Sequence, residues 1–379
     1  MSGIPVARLF GFEIRIHISW AIILAVVVVV AATQLETLEP GAPTPARWLV
    51  GGIVAAAFLA SALVHELAHA IVARRSGVET GPIVVYFFGG SVPLGQDVGS
   101  PRTEITAGLA GPVVSLLVGV VLAAIGLPGA IAGGGVVAVA GQIALIVGAL
   151  NLLLGGLNLV PAFPLDGGRV AHGIAWRATG DSRRATRLVA RLGRLLGWAL
   201  GVAGFASILV LSSIDNGLML AICGWFLVST ARQTDRIAML DELLDGLSVG
   251  EVMERDVEAV PPGLTVDTFA GRMLDGTSGP SLPVMQNQTL LGVISAGQLR
   301  RLRRDRWPTM RAEDVMVAES ALPALGPETT LRSGFDDLRR SGLEGLPVFD
   351  AGGLIGILTR RGVARAVQSR AEGRGVPLP

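Results

Sequence analysis

Residues 48–73 read WLVGGIVAAAFLASALVHELAHAIVA. An apolar run of this length can cross a bilayer as one helix, which needs about 20 residues. Its single acid, Glu66, costs on the order of 3 kcal/mol in hydrocarbon unless something pairs with it. On a helix His65 and His69 stand four residues apart and share a face, with Glu66 beside them. Two imidazoles so placed reach one cation, and Glu66 then borders the position that water would take. A metal hydrolase requires this arrangement: two imidazoles, a third protein ligand, a water whose pKa falls to about 7, and a carboxylate that takes its proton.

The third ligand is expected in Asn158-Leu-Val-Pro161-Ala-Phe-Pro164-Leu-Asp166-Gly167-Gly168-Arg169. Asp-Gly-Gly alone signals a turn. Here the Asp follows an apolar span and a proline-broken segment at membrane depth, which favours Asp166 as the ligand, since carboxylate oxygen commonly completes a site with two imidazoles. Asn158, earlier on the same segment, can donate a hydrogen bond to a substrate carbonyl or its oxyanion. An interhelical polar contact is the other use for such an Asn. The remaining histidines, His17 at a polar margin and His172 among arginines, read as solvated or capping residues.

Working outward, six apolar segments appear near 18–33, 48–73, 105–127, 135–157, 195–212 and 214–230. With 51% hydrophobic residues and a mean hydropathy of +0.59, the chain is not an ordinary soluble enzyme. Its charge of +1 gives no reason to invoke nucleic acid. The basic residues are all arginine. Arg8, Arg15, Arg74, Arg75, Arg102, the set from Arg169 to Arg194, Arg232 and Arg236 fall in every second connection, all on one side of the spans, whereas loops 34–46, 128–134 and 212–215 hold none. The positive-inside rule then puts both termini in the cytoplasm. The lone Cys223 excludes an intrachain disulfide. No cleaved signal peptide is expected, because the β-like segment Gly11 to His17 leads straight into the first span.

Ile83 to Phe88, ending in Gly89-Gly90, does not read as helix although it lies at membrane level. Irregular backbone persists there only where protein buries it or it lines a water-filled cavity. The edge of Ile83–Phe88 is expected to hold a substrate strand extended.

HELAH inside a span, followed about ninety residues later by N-x-x-P-x-x-P-L-D-G-G-R, resembles the site-2 protease family of intramembrane metalloproteases over roughly residues 1–230. Phe88-Gly89-Gly90 resembles that family's re-entrant β segment, and Ala110-Gly111-Pro112 its Ala-Gly-Pro motif. The family often has Asn three residues after that Pro; this chain has Ser115, which can still hydrogen-bond. The resemblance implies one zinc per chain on His65, His69 and Asp166, Glu66 as general base, Asn158 assisting, and Phe88, Gly89, Gly90 and Ser115 toward the substrate. It implies a single-span membrane protein substrate, such as an anti-sigma-factor-like inhibitor, cut at the cell membrane to release a cytosolic regulator.

From Ala231 onward the chain is charged and carries an internal repeat of about 63–64 residues. Val252-Met253 recurs as Val315-Met316, Leu282-Pro283-Val284 as Leu346-Pro347-Val348, and Gly292-Val293-Ile294-Ser295 as Gly356-Ile357-Leu358-Thr359. This tail resembles a tandem pair of cystathionine-β-synthase-type (CBS) domains, with copies at 243–302 and 311–370. Such pairs often bind adenine nucleotides through an Asp three residues after the Ser or Thr; Gln298 and Gly362 stand there instead, which weakens that function and favours dimerisation or docking. The expected architecture is thus a polytopic α-helical membrane domain of about six helices with a small re-entrant β element, followed by a soluble α/β pair. The competing reading, a CBS-regulated cation channel or transporter, does not require Glu66 beside a His-x3-His pair.

Overall fold

The computed structural model describes residues 3–38, 41–78, 80–86, 89–91, 99–132, 135–274, 279–287, 289–300, 302–351 and 353–374. The chain divides into Met1–Asp235 and Arg236–Pro379.

The first unit opens with a hairpin, β1 (Ile4–Leu9) and β2 (Phe12–Ile16), turning through Phe10 and Gly11, both at positive φ. Next come α1 (Trp20–Leu38) and α2 (Thr44–Arg75), the short strands β3 (Ile83–Tyr86) and β4 (Gly89–Ser91), then α3 (Pro101–Ala132) and α4 (Val136–Asn158). A shorter helix, α5 (Asp166–Thr179), precedes α6 (Ser182–Leu211) and α7 (Ile214–Leu244). Six of these helices are long and apolar enough to cross a membrane, and they coincide with the six apolar segments of the sequence. Several are longer than their apolar stretches, because charged end turns stay helical outside hydrocarbon. Arg74 and Arg75 close α2, where the helix dipole favours cations. At the start of α6 the Asp181 carboxylate accepts from the backbone nitrogens of Arg183 (2.8 Å) and Arg184 (3.2 Å), so the helix begins inside the arginine cluster.

With little hydrophobic drive between helices in lipid, close backbone approach supplies the packing. Glycines seven residues apart make these seams. A methyl on Gly126 would lie 2.7 Å from the Gly141 carbonyl, and one on Gly155 would lie 2.9 Å from that of Pro112, along the α3–α4 contact. Gly197 and Gly204 of α6 meet Gly224 and Gly217 of α7 in the same way.

The four strands form one sheet in the order β1-β2-β3-β4, with β2 and β3 parallel and the other pairs antiparallel. This corrects the expected role of Ile83–Phe88 as an open edge. Within the described residues β3 is flanked on both sides, and the outer strands are β1 and β4. Phe88 lies outside the described residues.

In the second unit α8 (Val249–Val252), α9 (Val266–Leu274), β5 (Ser281–Gln286), β6 (Thr289–Ser295) and α10 (Ala296–Leu299) are followed by α11 (Ala312–Val315), β7 (Val317–Ala318), α12 (Leu331–Ser341), β8 (Gly345–Asp350), β9 (Gly353–Thr359) and α13 (Arg360–Gly373). The repeat is visible in the register: Ser281 pairs with Ser295 as Gly345 pairs with Thr359, and both hairpins break step at the same place, between Val284 and Met285 and between Val348 and Phe349. The copies interlock, since Val249 N donates to Thr329 O (2.8 Å) and Val266 N to Met310 O (2.9 Å). Each copy thus completes the other, as expected for units too small to bury a core alone.

Candidate active site

Helix α2 carries His65, Glu66 and His69, all buried, and turns the two histidines toward α3. The Nε2 atoms of His65 and His69 are 3.2 Å apart, and each lies 3.1 Å from Asp166 Oδ2. The other ring nitrogens are engaged: His69 Nδ1 donates to the Ala107 carbonyl at 2.6 Å, and His65 Nδ1 lies 2.9 Å from Ser115 Oγ. Because a carbonyl only accepts, the His69 proton is on Nδ1 and the Nε2 lone pair faces inward. Two imidazole nitrogens and a carboxylate oxygen therefore converge at mutual distances of 3.1–3.2 Å. Zinc bonds of about 2.0–2.1 Å in a tetrahedron put ligands about 3.3 Å apart. The donor set fits a zinc ion, with one tetrahedral position left over.

Gly111 gives independent support. A methyl there would lie 2.7 Å from His65 Nε2 and 2.8 Å from its Cδ2, and closer still to His69 Nε2. The glycine keeps open the space on which both ligand nitrogens converge.

Asp166 does not lie in a turn, the structure that Asp-Gly-Gly alone would signal. It begins α5, where the unpaired backbone N–H groups of a first turn favour a carboxylate. Gly167 and Gly168 follow because the helix start is pressed on the preceding loop: a methyl on Gly168 would sit 2.6 Å from the Ala162 carbonyl carbon, and one on Gly167 would run into the Leu159 carbonyl. Burial alone would raise the Asp166 pKa, but the two imidazoles beside it hold it below the usual carboxylate range.

Asn158 is the last residue of α4, and its amide nitrogen donates to Leu154 O at 2.9 Å. Gly89 and Gly90 lie in β4. Ser115, expected to face the substrate, is 1% exposed and sits on His65 Nδ1. His172, expected to be solvated or capping, is also buried: Nδ1 lies 2.7 Å from Glu104 Oε2, and Nε2 lies 3.0 Å from Ser182 O. Sequence reading missed Glu104 and Ala107, and singled out Gly111 only as part of the Ala110-Gly111-Pro112 motif. Together with Ser115 they recur at helical spacing along one stripe of α3 (104, 107, 111, 115).

The Peptidase family M50 profile matches residues 53–200, and the CBS domain profile matches 249–305 and 312–369. Rip3 of Mycobacterium tuberculosis, whose name places it provisionally among zinc metalloproteases, is 32% identical over 97% of this chain and 93% of its own length. The chain belongs to Peptidase family M50. A Synechocystis relative named in the same way is 28% identical over 98% of this chain and 97% of its own. A solved site-2 protease from Methanocaldococcus jannaschii matches with 27% identity and a TM-score of 0.42, covering 62% of this chain and 96% of that one. This M50 protein is a zinc metalloprotease of the site-2 protease type, with a tandem CBS pair after its membrane-spanning helices.

Proposed function

We propose that this M50 protease hydrolyses a peptide bond within or near the membrane-spanning segment of a single-span protein, with His65, His69 and Asp166 holding one zinc and Glu66 as general base. The observation that carries the reading is the convergence at 3.1–3.2 Å of two buried imidazole nitrogens of the apolar helix α2 and a half-buried carboxylate oxygen at the start of α5, with Glu66 next in sequence to one of the histidines.

When bound there, zinc lowers the pKa of a coordinated water to about 7 and polarises the scissile carbonyl. Glu66, buried on α2, takes the water's proton and passes it to the departing amide nitrogen. Ala107 O and Ser115 Oγ hold the two imidazoles so that their Nε2 atoms face inward. Asn158 steadies the substrate carbonyl; its amide group carries two hydrogens, and the contact with Leu154 O uses one. A transmembrane helix must unwind before its carbonyl reaches such a site. The outer side of β4, carrying Gly89 and Gly90, is the edge on which an extended substrate strand would pair.

In this reading the protein lies in the cell membrane with both termini in the cytoplasm, following the arginine distribution. Cleavage releases a cytosolic regulator, as from an anti-sigma-factor-like inhibitor, and the CBS pair acts mainly by homodimerisation. Comparative membrane proteomics of cells carrying the wild type or Glu66→Gln tests it. One single-span protein should accumulate in the variant and be cut by the purified wild type. Equal membrane proteomes together with normal peptidase turnover by Glu66→Gln would overturn the mechanism.

A further inference from the structure

His172 lies six residues after Asp166 on α5, and its ring joins three helices. On one side Nδ1 is 2.7 Å from Glu104 Oε2 in the first turn of α3. On the other, Nε2 is 3.0 Å from Ser182 O and 3.1 Å from Thr186 Oγ1, both on α6. The Ser182 carbonyl can only accept, so Nε2 carries a proton. Facing a carboxylate, Nδ1 carries one as well. The geometry is that of an imidazolium paired with Glu104, whose charge the N-terminus of α3 favours. Among the described contacts of this ring, Glu104 is the charged group. Ser182 and Thr186 on α6, Trp176 on α5 and Phe163 in the preceding turn complete its surroundings.

Around this pair α5 is packed closely on α3: a methyl on Gly173 would lie 2.7 Å from Ile105 Cγ1 and 3.0 Å from Pro101 O. Asp166 is carried by the same helix. Metal–ligand distances tolerate only about 0.2 Å, so a small shift of α5 along α3 moves the carboxylate off the two imidazole nitrogens.

We infer that Glu104 and His172 are positioning residues for the metal site: their ion pair fixes α5 against α3 and thereby sets Asp166 against His65 and His69. The inference rests on the zinc reading above. It carries a pH signature. Burial disfavours the charged ring, but the hydrogen bond and charge of Glu104 outweigh it and the Ser182 carbonyl adds to them, so the His172 pKa lies above the ordinary imidazole value. A group raised on folding stabilises fully below its unfolded pKa, and that contribution is lost as pH rises through the raised value. The tie is therefore intact in acid and released in alkali.

The test is zinc affinity of the full-length detergent-purified protein, by competition with a chromophoric chelator from pH 5.5 to 9.5. Zinc binding displaces protons from a site, so affinity rises with pH in every variant, and the ratio to wild type is the readout. His172→Gln should bind zinc about 10-fold more weakly at neutral pH, and the wild-type advantage should shrink toward one in alkali. Glu104→Gln lacks the ion pair at every pH, so it too should bind zinc about 10-fold more weakly at neutral pH, with the wild-type advantage again shrinking in alkali. Ratios of one throughout, or reduced ratios that do not change with pH, overturn the inference; if Glu104→Gln does not fold, the His172→Gln profile decides alone. His65→Ala is the control for the reading beneath: undiminished zinc in that variant sinks the metal site itself, whereas its loss there alongside wild-type profiles in both other variants sinks only the positioning role.

Discussion

Gly111→Ala adds one carbon and removes no polar group, so its effect follows from geometry. The new methyl would stand 2.7 Å from His65 Nε2, where ordinary contact begins near 3.4 Å, so that ring must retreat by 3.4 − 2.7 = 0.7 Å and the His69 ring by more. Zinc tolerates about 0.2 Å in its bond lengths. The rings cannot retreat freely, because their Nδ1 atoms are tied to Ser115 Oγ and Ala107 O of the same helix as Gly111. A loss of at least about 100-fold in zinc affinity is expected, which is about 2.7 kcal/mol at 1.36 kcal/mol per tenfold. The assay is zinc content per chain by mass spectrometry after dialysis against a graded chelator, with far-UV circular dichroism to verify the helices. Gly111→Ala holding one zinc per chain with wild-type affinity would refute the assignment of that space to the metal.

Ser115→Ala should weaken zinc binding by about 10-fold through loss of the hydrogen bond that orients His65, and an unchanged chelator titration would remove Ser115 from the site. Reporter fusions at residues 40, 131 and 214 should read outside and those at 78, 185 and 240 inside; an outside signal at 240 would reverse the assigned topology. The full-length chain should bind ATP, ADP or AMP no more tightly than the high micromolar range in equilibrium dialysis. Gln298 Oε1 already accepts from Ser295 N (2.6 Å), Gly362 offers no side chain, and Glu254 engages the Thr359 hydroxyl (3.2 Å) and Arg365. Low-micromolar binding that changes proteolysis would show that reading of the clefts to be mistaken.

The spans were legible because hydrocarbon thickness imposes a length that composition alone reveals. His65, Glu66 and His69 were legible for a related reason: a charge inside such a span needs a purpose, and four-residue spacing supplies one. Asp166 could be named but its setting could not. Two glycines after an Asp read as a turn, since each costs a helix about 1 kcal/mol, and only the tight fit of Gly167 and Gly168 on the 159–165 loop makes a helix start there. The same error hid α5 and the first half of α6, whose arginines look like loop until Asp181 caps them. Glu104 and His172 meet across 68 residues of chain, and no local pattern couples positions so far apart. The stripe 104, 107, 111, 115 was available as a helical period, but the apolar segment that suggested the helix began one residue too late to include Glu104. In the tail, the repeat offset carried through to paired registers and matching bulges, because duplicated sequence imposes duplicated pairing.

The proposed zinc ligands are unevenly distributed along the chain. His65 and His69 share one helix, while Asp166 arrives 101 and 97 residues later. During synthesis, then, the two histidines enter the bilayer well before the carboxylate exists, and the ion can close the trio only after α3 and α4 are in place. On the proposed assignment the ion would act as a clasp between α2 and α5. Helices already inserted keep their backbone hydrogen bonds whatever their neighbours do. Stripping the ion should therefore leave helical content intact and let α2 and α5 drift apart, a loosening that spin labels on those two helices would register and circular dichroism would not.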